Sequence, residues 1–187
     1  MSLAEDIPQP APRFDSAEAF LGWVVGQPER YELAGGVARM MTGGSPNHAR
    51  LSRNALTTLV ARLGTGPCEA FGTDLAIILG PGRVAFPDAS VSCEPVTGMG
   101  ADRPVVVFEV LSPSTAAYDL GDKASPSLRH LVLVSQDKIR VAHYHRDAEG
   151  ADFVLTELDR IDDVLVLAAI GVELAIAELY AQVTLAG

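Results

Sequence analysis

"RPVVVFEVLSPST", residues 103–115, is the stretch on which the reading of this chain turns. Val105, Val106, Val107 and Phe108, then Val110 and Leu111, are large apolar residues that follow one another without alternation. Such a run predicts a strand covered on both faces, in the middle of a parallel or mixed sheet. Glu109 interrupts it. A carboxylate taken out of water there costs on the order of several kcal/mol unless a cation or a hydrogen-bond donor meets it. A core alone would use a hydrophobe, so the charge is expected to serve a purpose. A buried ion pair with Arg50, Arg53 or Arg129 is the structural alternative.

Upstream, "CEAFGTDLAIIL" (68–79) and "RVAFPDASVSC" (83–93) read as two strands joined at Gly80-Pro81-Gly82. Asp88 lies in the second and Glu109 in the next strand along the chain. If those strands are neighbours, the two acids converge, and acids brought together in a partly dry place favour a bound cation. Hard divalent ions such as Mg²⁺ suit a few carboxylates completed by water and phosphate oxygens. A three-residue loop pairs Leu79 with Arg83 and sets Asp74 opposite Asp88 as a third acid; a two-residue loop separates them. Downstream, Lys123 in "YDLGDK" is close enough in sequence to reach back over the acids. An ammonium there can orient water and stabilise charge building on an attacked phosphate.

The remaining elements follow from capping and periodicity. "DSAEAFLGWVVGQ" (15–27) predicts a helix with Asp15 or Ser16 as cap, and "RYELAGGVARMM" (30–41) a hairpin turning at Gly35-Gly36. "SPNHARLSRNALTTLVARLG" (45–64) predicts a long helix capped by Ser45, with Pro46 in its first turn. "SLRHLVLVS" and "KIRVAHYHR" read as strands about a turn at Gln136-Asp137. "DFVLTEL" and "DVLVLAAIGVEL" follow as strands, and "ELAIAELYAQV" closes as a helix. This order predicts an α/β (α+β) fold, one mixed sheet flanked by helices, with an extra N-terminal hairpin and C-terminal strands. Residues 1–14 are expected to be a loose tail and 15–187 a single domain.

The 187 residues are 48% hydrophobic and 20% charged, a globular composition. No stretch approaches the roughly 18 apolar residues of a membrane span. The acids and prolines of "MSLAEDIPQPAPRFDS" are unlike a signal peptide, so the cytoplasm is the expected compartment. A net charge of −10 argues against a surface that coats nucleic acid, because phosphate contacts need basic side chains. It leaves room for a small acidic site whose cation meets phosphate. Cys68 and Cys93 are expected to be reduced core thiols. Glu32 is a candidate accessory acid, and His48 a candidate contact to phosphate or water, with helix capping as its plainer role. His143 and His145 share one strand face and are expected to point to solvent, there being no third ligand at suitable spacing. Ser112, Ser114 and Thr115 read as capping residues, not nucleophiles.

Taken together, "YEL" (31–33), "SPNHARL" (45–51), "GTDL" (72–75), "FPDASV" (86–91), "FEVLSPSTAAYDLGDK" (108–123) and "PSLRHLVLVSQD" (126–137) resemble the Uma-two type family. That family is placed in the PD-(D/E)XK nuclease superfamily, with a restriction-endonuclease-like fold, and the likeness spans roughly residues 15–180. It implies a metal-dependent endonuclease using Mg²⁺ or Mn²⁺, with nucleic acid, DNA in the first instance, as partner. It implies Asp88, Glu109 and the main-chain carbonyl of Val110 as metal ligands. Lys123 is implied as the catalytic lysine moved onto a helix, because Leu111 stands where the superfamily pattern has lysine. Only Ala124 and Ser125 separate Lys123 from Pro126, which limits that helix to about two turns. A binding or assembly module on the same scaffold is the second reading, since fold does not fix function. The apolar C-terminal half suggests a homodimer, although such residues also fill cores.

Overall fold

The computed structural model describes residues 11–111 and 125–185. Helix α1 (Ala17–Val24) starts at Ser16, whose hydroxyl accepts from the Ala19 N–H at 3.1 Å, and it buries Phe20 and Leu21. The hairpin of β1 (Tyr31–Ala34) and β2 (Val37–Met40) turns at Gly35 and Gly36. Both glycines have positive φ, which this tight turn requires. Helix α2 (Pro46–Leu63) is capped by Ser45, whose Oγ accepts from the His48 N–H, and ends at Gly64. Its buried stripe, Leu51, Ala55 and Leu59, repeats every fourth residue, as one helix face does.

The two long strands expected at the centre are each cut in two. They become β3 (Glu69–Gly72) and β4 (Ala76–Gly80), then β5 (Arg83–Ala85) and β6 (Ala89–Ser92). The hairpin bends at residues 73–75 and 86–88, where Pro87 has no N–H to give a ladder. Its outer half joins a five-stranded sheet, ordered β2, β1, β5, β4 and then a short parallel strand, β7 (Gly100–Ala101). The loop is the shorter of the two forms that the sequence allows. Gly80, not Leu79, pairs with Arg83, and a bulge between Ile78 and Gly80 returns Ile78 to register with Val84.

The inner half joins a six-stranded sheet with β8 (Pro104–Leu111), β9 (His130–Ser135), β10 (Val141–His145) and β11 (Val154–Leu158). The order is β11, β10, β9, β8, β6, β3, so the diagnostic strand is central, antiparallel to β6 and parallel to β9. Both of its faces are used. Val106, Phe108 and Val110 pack with Val132, Val134 and the α2 stripe, while Val107 packs on the other face with Leu128, Leu131 and Leu133. Full burial of each such side chain contributes about 1.5–3 kcal/mol. That explains why the run does not alternate.

The additional strands expected at the carboxyl end form a third, two-stranded sheet of their own. It pairs β12 (Val164–Leu167) with β13 (Val172–Ala175) through a 3-10 turn at Ala168–Ile170. The closing helix shrinks to α3 (Ile176–Leu179), because "VELA" alternates buried and exposed as a strand instead. Asn54 of α2 ties this end down, donating to the carbonyls of Leu179 (2.9 Å) and Ala181 (2.8 Å). Two further expectations are corrected. Residues 12–14 are docked, not loose: Ala38 N–H donates to Pro12, Phe14 N–H to Gly36, and the Phe14 ring packs on Phe20 and Trp23. Cys68 and Cys93 are a disulfide, not thiols. Each lies one residue beyond the β3–β6 ladder, whose register sets them opposite each other, a proximity their separation of 25 residues does not reveal.

Candidate active site

The β6–β8 ladder pairs Ala89 with Phe108, and one further step sets Asp88 opposite Glu109. The two acids therefore sit at matching positions near the carboxyl end of the central strand. Glu109 is half-buried, and Asp88 is only 7% exposed. The Asp88 carboxylate is gripped from two sides. Val110 N–H donates to Oδ2 at 2.8 Å, taking the place of a ladder partner just past the end of β6. Ser52 Oγ lies 2.7 Å from Oδ1 and 2.9 Å from the His48 carbonyl; its single proton serves one of them, and the charged acceptor makes the stronger bond. His48 Nε2 stands 3.4 Å from Oδ2. Ser52 and His48 are one turn apart on α2, beside the stripe that packs on the sheet, so burial of that stripe delivers both to Asp88.

The amino end of α2 is fixed to the end of β8 by Gln136. Its Nε2 donates to the Leu111 carbonyl at 3.0 Å, its Oε1 accepts from Ser45 Oγ, and its carbonyl accepts from Asn47 Nδ2. An open groove of about 690 Å³ runs along this junction, lined by Gly44, Asn47, His48, Arg50 and Gln136 among others. Arg50 Nη1 donates to Asn47 Oδ1 at 3.0 Å. Neither Ser52 nor Gln136 stood out in the sequence. The signal for Ser52 was its spacing of four from His48 on one helix; Gln136 read only as a turn residue.

The other expected residues are placed as follows. Asp74 is exposed on the turn between β3 and β4, and Glu32 lies on β1 opposite Arg39. No hydrogen bond among the described residues joins either to Asp88. Lys123, Ser112, Ser114 and Thr115 lie outside the described residues. Arg50, Arg53 and Arg129, proposed as ion-pair partners of Glu109, direct hydrogen bonds to Asn47, to Asn54 and Gln182, and to the carbonyls of Arg146 and Asp147. His143 does not face solvent. It is buried, and His130, which the sequence reading passed over, lies 2.9 Å away as its hydrogen-bond partner.

No group of three His, Cys, Asp or Glu side chains among the described residues is arranged to hold a metal ion. The donor set nevertheless suits Mg²⁺ or Mn²⁺, since Mg²⁺ is held through one or two carboxylates with water and phosphate completing its shell. Asp88 and Glu109 supply the carboxylates. A residue in an antiparallel pair turns its N–H and C=O to the same neighbour, so the Val110 carbonyl opens on the side where its N–H meets Asp88. Ser90 Oγ, buried two residues along β6 from Asp88, has no hydrogen-bond partner among the described residues, so polar capacity there is unspent.

The model of the Uma2 family, described as "putative restriction endonuclease", matches residues 17–177. The chain belongs to the Uma2 family. This Uma2 protein is 34% identical to the uncharacterized protein slr1290 of Synechocystis over 187 residues, covering 95% of this chain and 97% of that one. It is 30% identical to the uncharacterized protein sll1609 of the same organism over 141 residues, covering 70% and 79%. In fold it matches the crystal structure of an Anabaena variabilis protein described as a putative nuclease belonging to DUF820. The TM-score is 0.69 at 15% identity, over 88% of this chain and 98% of that one. The resemblance read from "FPDASV" and "FEVLSPST" thus holds for family and for the restriction-endonuclease-like fold.

Proposed function

We propose that this Uma2 protein is a metal-dependent endonuclease that hydrolyses phosphodiester bonds of nucleic acid, DNA in the first instance. The observation that carries the reading is Asp88: a buried carboxylate clamped by Ser52 and the Val110 N–H, set opposite Glu109 in an otherwise apolar strand. Mg²⁺ or Mn²⁺ between Asp88, Glu109 and the Val110 carbonyl would supply positive charge against a phosphate and an acidified water as nucleophile. The chain's own part is positional. Ser52 and Val110 hold the Asp88 oxygens in one orientation, and Arg50 with the amino end of α2 lines the groove in which a phosphate would lie. Lys123, on the connection after β8, is assigned the stabilisation of charge on the attacked phosphate. His48, beside Asp88, is assigned contact with the phosphate or its water. Asp74 and Glu32 are left out of the constellation.

The test is cleavage of supercoiled and single-stranded DNA, and of RNA, with each ion. Cleavage should fall at least about 100-fold in Asp88→Ala and in Glu109→Ala while both variants keep the wild-type circular dichroism spectrum. Wild-type protein that binds neither ion by calorimetry and cuts none of these substrates would end the proposal.

A second copy of the chain is the partner proposed for one edge of the six-stranded sheet. Among the described residues β11 and β3 are its two edges, and on β11 Val154 and Leu155 are 58% and 46% exposed. An unpaired edge with apolar side chains invites antiparallel pairing with its own copy. Sedimentation should show a dimer that Val154→Arg shifts to monomer; a wild-type monomer at all concentrations rules this out.

A further inference from the structure

Three histidines crowd one face of the six-stranded sheet, far in sequence from the acids. His130 begins β9, and His143 and His145 lie on β10; the register sets His145 opposite His130. The His130 and His143 rings stack with centroids 5.1 Å apart, and those of His143 and His145 are 4.8 Å apart. His130 is 3% exposed and His143 is 5% exposed.

The hydrogen bonds fix where the protons are. Ala169 N–H, in the turn between β12 and β13, can only donate, and it lies 3.1 Å from His130 Nε2. That nitrogen must carry a lone pair, so the proton of neutral His130 is on Nδ1. His130 Nδ1–H then donates to His143 Nε2 at 2.9 Å, which leaves the His143 proton on Nδ1. Each remaining lone pair is already an acceptor. Neither ring can take a second proton without losing a hydrogen bond and burying a charge beside another imidazole.

We propose that the His130–His143 pair is a proton-sensitive latch that holds the Ala168–Ile170 turn against the sheet at neutral pH and releases it in acid. None of the turn's three residues is buried, and its amide bond to His130 crosses to the sheet. Ile170 packs on the core, and the flanking strands are held by Leu165, Leu167, Val172 and Leu174 within it, so the latch acts on the turn alone. The surroundings do not soften the latch. His145 on β10 and Arg129 beside His130 act on the pair, β11 offers the neutral Thr156 to His145, and the turn itself brings only Ala168, Ala169 and Ile170. No carboxylate acts on either ring among the described residues.

The pH window follows from the direction of the shifts. Burial first, then His145 and Arg129, lowers the pKa of His130 to about 4; burial first, then His130 and His145, lowers that of His143 to about 3. A ring freed by opening takes its proton below about 6.5. The closed state is therefore undiminished above that pH, loses ground as pH falls through it, and stops losing only below the closed-state values.

Hydrogen exchange of peptides spanning residues 164–175, corrected for the intrinsic pH dependence of exchange, reads the latch. Between pH 7 and pH 5 protection should fall about 20-fold for each histidine that titrates on opening, while β8 and β9 stay protected. His143→Gln keeps an acceptor near the Nε2 position and cannot titrate, so its loss of protection should be about 20-fold smaller. Unchanged wild-type protection, or a His143→Gln profile as steep as wild type, overturns the latch. Should that variant not fold, ring-proton NMR of the wild type decides. Both rings staying neutral to about pH 4.5 supports it, and either titrating near 6.5 in the closed protein refutes it.

Discussion

Asp88→Asn should leave the protein folded within about 1 kcal/mol of wild type while its affinity for Mn²⁺ falls at least about 100-fold. The hydrogen-bond inventory explains the first half. An asparagine oxygen turned toward Val110 accepts the N–H that Asp88 Oδ2 accepts now, at 2.8 Å. Its amide nitrogen then faces Ser52 Oγ and donates to it. The Ser52 proton is free to swing to the His48 carbonyl, which already lies within 2.9 Å. Every present partner of Asp88 keeps a hydrogen bond, and the charge is gone. Asp88→Ala is different, because it strands the Val110 N–H inside the sheet at a cost of about 1–3 kcal/mol. Calorimetric ion titration beside urea unfolding separates the two effects. Unaltered Mn²⁺ binding in Asp88→Asn would mean that Asp88 is a structural acceptor and nothing more.

The sequence reading succeeded where local rules and burial agree. Ser45-Pro46 started a helix and Gly35-Gly36 turned a hairpin, because backbone chemistry alone decides both. The valines of 105–107 announced a central strand because both faces of β8 are covered. It failed where tertiary geometry divides a continuous pattern. "CEAFGTDLAIIL" is interrupted only by Gly72-Thr73-Asp74, which a single bent strand could also carry, yet the chain passes from one sheet to another at residues 73–75. The helical look of "ELAIAELYAQV" came from Ala, Leu and Glu, which favour helix on their own. Pairing of Val172–Ala175 with β12 outweighed that preference.

Asp88 and Glu109 were legible as a pair of neighbours because the two strands, separated in sequence only by the short β7 of the other sheet, are adjacent in the sheet. The residues that orient Asp88 were not, since Ser52 lies 36 positions away and is brought close only by the docking of α2. His130 and His143 show the same limit. Spacing by two put His143 and His145 on one face, but which face is buried depends on the hairpin that arrives later in the chain. A solvent-facing assignment was the natural one for alternating histidines. Burial under β12 and β13 reversed it for His143.

Arg146→Ala should destabilise the protein by about 3 kcal/mol, which for a chain of this size lowers Tm by about 10 °C. The guanidinium is nearly buried and donates to four carbonyls: Leu128 (2.6 Å), Ser125 (2.7 Å), Pro126 (2.9 Å) and Ala151 (3.1 Å). Its planar fork also lies 4.4 Å over the Phe153 ring, a cation–π contact. Burial first, and then Arg129, pushes its pKa below the ordinary arginine value, with Glu149 opposing. The charge is thus held by carbonyl dipoles where a carboxylate would be usual. Lysine cannot reproduce this, because the three donors of an ammonium radiate from one nitrogen while the four carbonyls are met by three separate nitrogens of the fork, so Arg146→Lys should recover less than half of the loss. The consequence reaches the proposed chemistry. Ser125 and Pro126 follow Lys123, the lysine proposed to assist catalysis, by two and three residues in sequence, and Arg146 fixes both of their carbonyls. Under the endonuclease proposal, Arg146→Ala should lower kcat at temperatures where the variant is still fully folded, with ion affinity unchanged. A Tm within about 2 °C of wild type would show that the four carbonyls are satisfied without the guanidinium.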